Sequence, residues 1–218
     1  MKNKISKTTV ITTIVCLLPV IAGIILYNRL PETIATHWDF QGNPNGYSSR
    51  FVGVIVFPGA LALVNLLIPL LLKTDPKYEN IGDKIKTLIQ WIIPLVCIFC
   101  SGFTLSEAFG LESKIEIITP LFVGLIFVLI GNYLPKTRQS YTVGIKLPWT
   151  LADEVNWNKT HRMAGFLWIF CGFAIMISAF TPFRQYVLIL VLIVSFFVPT
   201  IYSYILFLRK KDDNEKSF

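Results

Sequence analysis

Charge is what this chain has least of. Acidic and basic residues fill 15% of its 218 positions while 54% are hydrophobic, and the mean hydropathy is +0.61. Soluble domains carry roughly 25% charged residues, so a fully water-facing fold is excluded. The charges are also missing from particular places. Thr8–Tyr27, Phe51–Leu72, Thr87–Ser106, Ile117–Pro135, Met163–Phe183 and Gln185–Leu208 contain no Asp, Glu, Lys or Arg. A helix needs about 20 mostly apolar residues to cross roughly 30 Å of hydrocarbon. The expected fold is all-α: a polytopic membrane protein with a six-helix transmembrane bundle, forming a single integral membrane domain over residues 1–218. The first run follows Lys2, Lys4 and Lys7 but lacks an A-x-A cleavage site, so it is expected to be a retained span.

Other scarcities narrow the chemistry. No charge lies mid-span, which speaks against a proton relay, and Glu107 near the end of the third run is the nearest case. There are two histidines, His37 and His161, which the expected topology puts on opposite faces, too far apart to share a zinc. Of the four cysteines, Cys16, Cys97, Cys100 and Cys171, all lie in apolar runs and read as small buried hydrophobes. No catalytic residue, metal site or cofactor is expected. His37, Asp39, Ser48 and Ser49 are the residue types of a hydrolase triad, but the same composition serves turns, and Asn43-Pro44-Asn45-Gly46 reads as turn chemistry.

The basic residues are unevenly spread. A cytoplasmic N-terminus leaves only Arg29, Arg50, Lys114 and Arg184 of the 20 basic residues on the outer side, so both termini are expected inside. The net charge of +7 then reports topology and contact with anionic lipid headgroups. Direct nucleic-acid binding is not expected, because no basic-aromatic groove or zinc-finger spacing is present.

What remains outside the spans is concentrated in two loops. The outer loop, residues 31–50, carries Trp38, Phe40 and Tyr47, rings suited to headgroup depth. Asp75–Lys86 mixes charge signs and reads as a solvated inner connector. The inner loop, residues 136–162, contains GIKLPWTLADEVNWNKTH. There Pro148, Thr150 as N-cap and Asp153 three residues later predict a helix start. Asp153 and Glu154 would sit in its first turn, with Lys159, His161 and Arg162 near its end, as the helix dipole favours. The expected element is a short interfacial amphipathic helix anchored by Trp149 and Trp157. Within the spans, Pro19, Pro94 and Pro199 would each remove a helix hydrogen bond, and small residues at Gly102 and Ser106, Ala174 and Ser178, and Gly165 and Gly172 would let helices approach closely.

The two loops resemble the SdpI-like bacterial membrane proteins. PETIATHWDFQGNPNGY is similar to that family's Leu-Pro-x-x-Ile-x-x-His-Trp-x-x-x-Gly signature. GNYLPKTRQSYTVGIKLPWTLADEVNWNKTHRMAG is similar to its Gly-Asn-x-x-Pro, Gly-Ile-Arg-x-Pro-Trp-Thr-Leu and Trp-x-x-Thr-His segments. Gly131, Asn132, Pro135, Gly144, Pro148, Trp149, Thr150, Leu151, Trp157, Thr160, His161 and Gly165 correspond to family positions. Lys146 stands where the family usually has Arg, exchanging a bidentate fork for a point charge.

The resemblance implies a bacterial plasma-membrane protein, not an enzyme, that protects the cell from a secreted membrane-active peptide toxin and signals by holding a small cytoplasmic repressor. The toxin would meet the outer loop at His37, Trp38, Asp39 and Gly42. A partner would dock on the inner loop at Lys146, Pro148, Trp149, Thr150, Trp157, His161 and Arg162, with His161 also placed to report cytoplasmic pH. The alternative function is a small transporter or exporter of a hydrophobic compound, using cavities at the proline bends.

Overall fold

The computed structural model describes residues 6–111 and 113–215, with the side chain of Asn214 left aside. Lys2, Lys4 and Lys216, which enter the basic-residue asymmetry, lie outside the described residues. Six helices are long and apolar enough to cross a membrane: Lys7–Arg29, Val52–Lys73, Asp83–Ala108, Ile115–Lys136, Glu154–Ser178 and Arg184–Asp213. The chain divides into two compact units, one of Met1–Leu72 with Lys86–Glu116, the other of Lys73–Ile85 with Ile117–Phe218.

In the first unit, α1 (Lys7–Leu26) begins at Ser6, whose Oγ accepts the Thr9 N–H at 3.0 Å. At its other end Arg50 donates to the Tyr27 and Leu30 carbonyls, at 3.3 and 3.0 Å, with its guanidinium 4.7 Å from the centre of the Tyr27 ring. A basic side chain thus satisfies carbonyls that a helix end leaves open. Between α1 and the second span the chain forms an antiparallel hairpin of β1 (Thr33–Trp38) and β2 (Pro44–Ser49). The outer loop, whose aromatic rings suit headgroup depth, is built as paired strand. Its turn also falls earlier than Asn43–Gly46. Asp39 N–H donates to the Asn43 carbonyl at 3.0 Å, and the Asp39 carboxylate accepts the N–H groups of Gln41 and Asn43, each at 2.9 Å. Gly42 supplies the positive φ of 89° that this turn needs. Pro44, Asn45 and Gly46 are therefore strand.

The second span opens with a π-helical turn, Val52–Val56, and continues as α2 (Phe57–Lys73); α3 covers Asp83–Ala108. Gly23 of α1 meets the wider turn, and a Cβ there would lie 2.7 Å from that of Val54. Polar side chains tie these helices where water is scarce. Gln90 Nε2 donates to Thr9 Oγ1 at 2.7 Å, and the Asn65 amide lies 2.9 and 3.1 Å from the hydroxyls of Thr12 and Thr13. Cys16, Ala62 and Cys97 pack together as small buried residues, and the four cysteines are free thiols.

In the second unit, α4 (Ile115–Tyr133) runs beside α6 (Glu154–Ser178), and α7 (Arg184–Glu215) packs on α6 through Cys171, Ile175 and Val191. Glycines seven residues apart make the first contact. A Cβ on Gly172 would stand 2.6 Å from the Gly124 carbonyl, and one on Gly131 2.9 Å from that of Gly165. The Gly165 and Gly172 expectation is met, whereas at Gly102 nothing lies within 4 Å. Pro19, Pro94 and Pro199 sit inside helices, as do Pro69 and Pro120.

Gly172→Ala should lower the thermal unfolding midpoint of the detergent-purified chain, by about 1–3 kcal/mol of overpacking. Gly102→Ala should leave it unchanged or raise it, since alanine favours helix by about 1 kcal/mol. Differential scanning fluorimetry of the two variants beside the parent reads both outcomes.

Candidate functional site

The segment 136–162 folds back on itself, and two buried aromatic residues one helical turn apart hold it. Asp153, with its side chain accepting the Val155 N–H at 3.1 Å, caps α6. Asn156, Trp157, Thr160 and His161 then fall on one buried face. The rings of Trp157 and His161 stack with centroids 4.0 Å apart and planes at 20°. Each reaches the incoming chain once. Trp157 Nε1 donates to the Thr137 carbonyl at 2.7 Å, and Ile145 N–H donates to His161 Nε2 at 2.9 Å. Because Nε2 accepts, the proton of a neutral ring is on Nδ1, which donates to the Trp157 carbonyl at 2.8 Å. Gly144 passes over both rings at φ 118°; a Cβ there would lie 2.6 Å from His161 Nε2 and 2.8 Å from the Trp157 ring.

The rest of the segment satisfies its own polar groups. Thr150 is not the N-cap of an interfacial helix but the third residue of a single turn, α5 (Pro148–Ala152), after an extended Leu147. Its hydroxyl accepts the Leu147 N–H at 2.9 Å and lies 2.8 Å from the Ile145 carbonyl. The Gln139 amide donates to the carbonyls of Thr150 and Leu151, at 2.9 and 2.8 Å, and its own oxygen takes Lys77 Nζ. Trp149 Nε1 donates to Ser203 Oγ at 2.8 Å, and Asn156 Nδ2 to the Ser203 carbonyl at 2.8 Å. Trp149 is half-buried against Tyr204.

Asp75 is the residue that sequence reading missed. Taken as part of a solvated connector, it is 5% exposed. One oxygen accepts from Ser140 Oγ at 2.6 Å, Thr142 Oγ1 at 2.7 Å, and the N–H groups of Tyr141 and Thr142, both at 2.9 Å. The other accepts the Lys77 N–H at 2.7 Å. Burial alone would raise its pKa, but these bonds, led by those from Ser140 and Thr142, outweigh it and hold the carboxyl at about 2. Asp75-Pro76 was readable as a turn with a side chain bonding two residues on. Its distant partners at 140–142 carried no signal.

The named inner-loop residues therefore divide. Lys146, Pro148 and Arg162 are exposed and Trp149 is half-buried, whereas Thr150, Trp157 and His161 are buried. Trp157 is not an interfacial anchor, and neither it nor His161 presents a surface to a partner. Nor is His161 open to report pH, since a second proton would set two donors against each other at Ile145. In the hairpin, His37 Nδ1 pairs with Asn45 Oδ1 at 2.5 Å, Asp39 is engaged in its turn, and Ser49 Oγ accepts the Val52 N–H at 3.3 Å. These residues do not form a Ser-His-Asp relay. Trp38 and Gly42 are half-exposed, and a Cβ on Gly42 would lie 2.9 Å from Glu116 Oε2. Among the described residues, no three of His, Cys, Asp and Glu gather as metal ligands.

Residues 136–203 match the model of the SdpI/YfhL protein family. Those limits take in the Trp157–His161 network, from Lys136 beside the Thr137 carbonyl to Ser203, while Asp75 and Lys77 lie outside them. That segment is similar to the SdpI/YfhL protein family. Residues 14–62 match a second model, Domain of unknown function (DUF1648), over most of α1, the hairpin and the start of α2. Immunity protein SdpI of Bacillus subtilis (strain 168) is 28% identical over 205 residues, covering 91% of this chain and 95% of the relative. No solved structure matches. With six candidate spans and this similarity, the chain is a multi-pass cell-membrane protein.

Two outcomes follow from this network. Trp157→Phe keeps the ring and leaves the buried Thr137 carbonyl unbonded, so it should destabilise the chain by about 1–3 kcal/mol in thermal unfolding. Asp75, with its folded-state pKa depressed to about 2, contributes stability that is complete above the unfolded carboxylate value near 4. That contribution is lost as pH falls toward 2. An acid titration of the unfolding midpoint should show this decline, and Asp75→Asn should start lower and lose the Asp75 part of the slope.

Proposed function

We propose that this chain is a membrane immunity protein, protecting its cell from a secreted membrane-active peptide without catalysing a reaction. The observation that carries the reading is the end-to-end similarity to Immunity protein SdpI, together with a family-matched segment that folds as one hydrogen-bonded unit. The basic-residue asymmetry supports cytoplasmic termini. The hairpin then lies outside, where His37, Trp38, Asp39 and Gly42 form the toxin-facing set. Lys146, Pro148, Trp149 and Arg162 lie on the cytoplasmic side, available to a small repressor held at the membrane. Thr150, Trp157 and His161 serve this surface by holding its backbone.

The test is expression of the chain in toxin-sensitive cells that lack their own immunity protein, followed by challenge with the peptide. Survival should rise with the chain present. His37→Ala with Trp38→Ala should reduce survival at unchanged membrane abundance. Equal killing with and without the chain, at confirmed abundance in the membrane, would refute the reading.

A further inference from the structure

The segment 136–162 exposes five cations and one acid, Glu154. Asp75, which binds this segment, is buried among donors, and Asp153 caps α6 while pairing with Lys210 at 3.2 Å. Lys136, Arg138, Lys146, Lys159 and Arg162 are all exposed. The buried pair determines where they stand. Lys136 and Arg138 flank Thr137, whose carbonyl takes the Trp157 indole, and Lys146 follows Ile145, whose N–H is fixed on His161. Lys159 and Arg162 lie on the outer side of the turns that carry Trp157 and His161. Five cations are thereby held around one rigid core.

The exposed face of α6 indicates what they meet. Lys159, Arg162, Phe166 and Phe170 follow one another at helical spacing of three and four residues, with Phe166 57% and Phe170 72% exposed. Four residues rise about 6 Å along a helix, so charge gives way to phenylalanine within one turn on one face. That sequence matches headgroup and acyl layers, with long cationic side chains reaching outward. An acidic protein would require the cations and not the phenylalanine stripe.

We infer that this face is an anionic phospholipid site, in which Lys146, Lys159 and Arg162 hold the headgroup phosphate while Phe166 and Phe170 pack on the acyl chains. The inference does not rest on the immunity reading, and by assigning Lys146 and Arg162 to lipid it leaves Pro148 and Trp149 as the part of that surface open to a cytoplasmic partner. The purified full chain is reconstituted with spin-labelled phosphatidylglycerol or phosphatidylcholine, and the selectivity between them is measured. Phosphatidylglycerol should be preferred, the preference should fall with added salt, and it should weaken by about fivefold per cation removed in Lys146→Gln, Lys159→Gln, Arg162→Gln. The variant should keep its unfolding midpoint in phosphatidylcholine, and if it does not fold, Arg162→Gln alone provides the comparison. Arg209→Gln with Lys211→Gln, equal in sign but away from the core, should leave most of the selectivity. Absence of preference in the parent chain, or equal preference in the variant, overturns the inference. So does full competition by inorganic phosphate at matched ionic strength, or capture by polyglutamate tighter than the lipid effect.

Discussion

Trp157 and His161, stacked and buried on α6, make the contact on which the connecting segment depends. The surrounding chain cannot be held by burial alone, because it is polar and lies at the ends of membrane spans. It is held at two backbone points, the Thr137 carbonyl and the Ile145 amide, by two side chains that fix each other's orientation. In low-dielectric surroundings an unmade hydrogen bond is costly, so loss of either contact leaves a buried group without a partner. Gly144 is required because the chain crosses the rings too closely for any Cβ.

From this pair the remaining bonds spread outward in order. Gln139, two residues past Thr137, bridges to α5; Ser140 and Thr142 close on Asp75; Trp149 and Asn156 fasten the other side to Ser203. The glycine contacts of α4 with α6 bring Pro135 against Gly165, so that the segment starts over α6. The groups left facing away are chiefly Lys146, Arg162 and one edge of Trp149. The buried histidine and tryptophan are positioning residues.

The six spans were legible because hydrocarbon excludes charge, and the absence of Asp, Glu, Lys and Arg marks each run directly. The start of the fifth span was not. Glu154–Arg162 is polar by composition, yet Asn156, Trp157, Thr160 and His161 share one face and bond inside the protein, so the helix begins nine residues before the apolar run. Asp153 was seen as a third-position acid for Thr150 and is instead the cap of α6. The hairpin escaped notice because Asn43-Pro44-Asn45-Gly46 imitates a turn, while Asp39 gathers the real one by side-chain bonds. Asp75 was half legible: Asp-Pro signals its local turn, but its pairing with 140–142 is a long-range contact without sequence periodicity.

Hydrogen–deuterium exchange of the chain in lipid nanodiscs, comparing the parent with His161→Ala, tests the dependence of the segment on this pair most directly. The Ile145 amide and the neighbouring backbone of residues 138–147 should be protected in the parent and exchange rapidly in the variant, while α4 and α7 stay protected. Unchanged protection of 138–147 after His161 is removed would contradict the claim that the buried pair holds the segment.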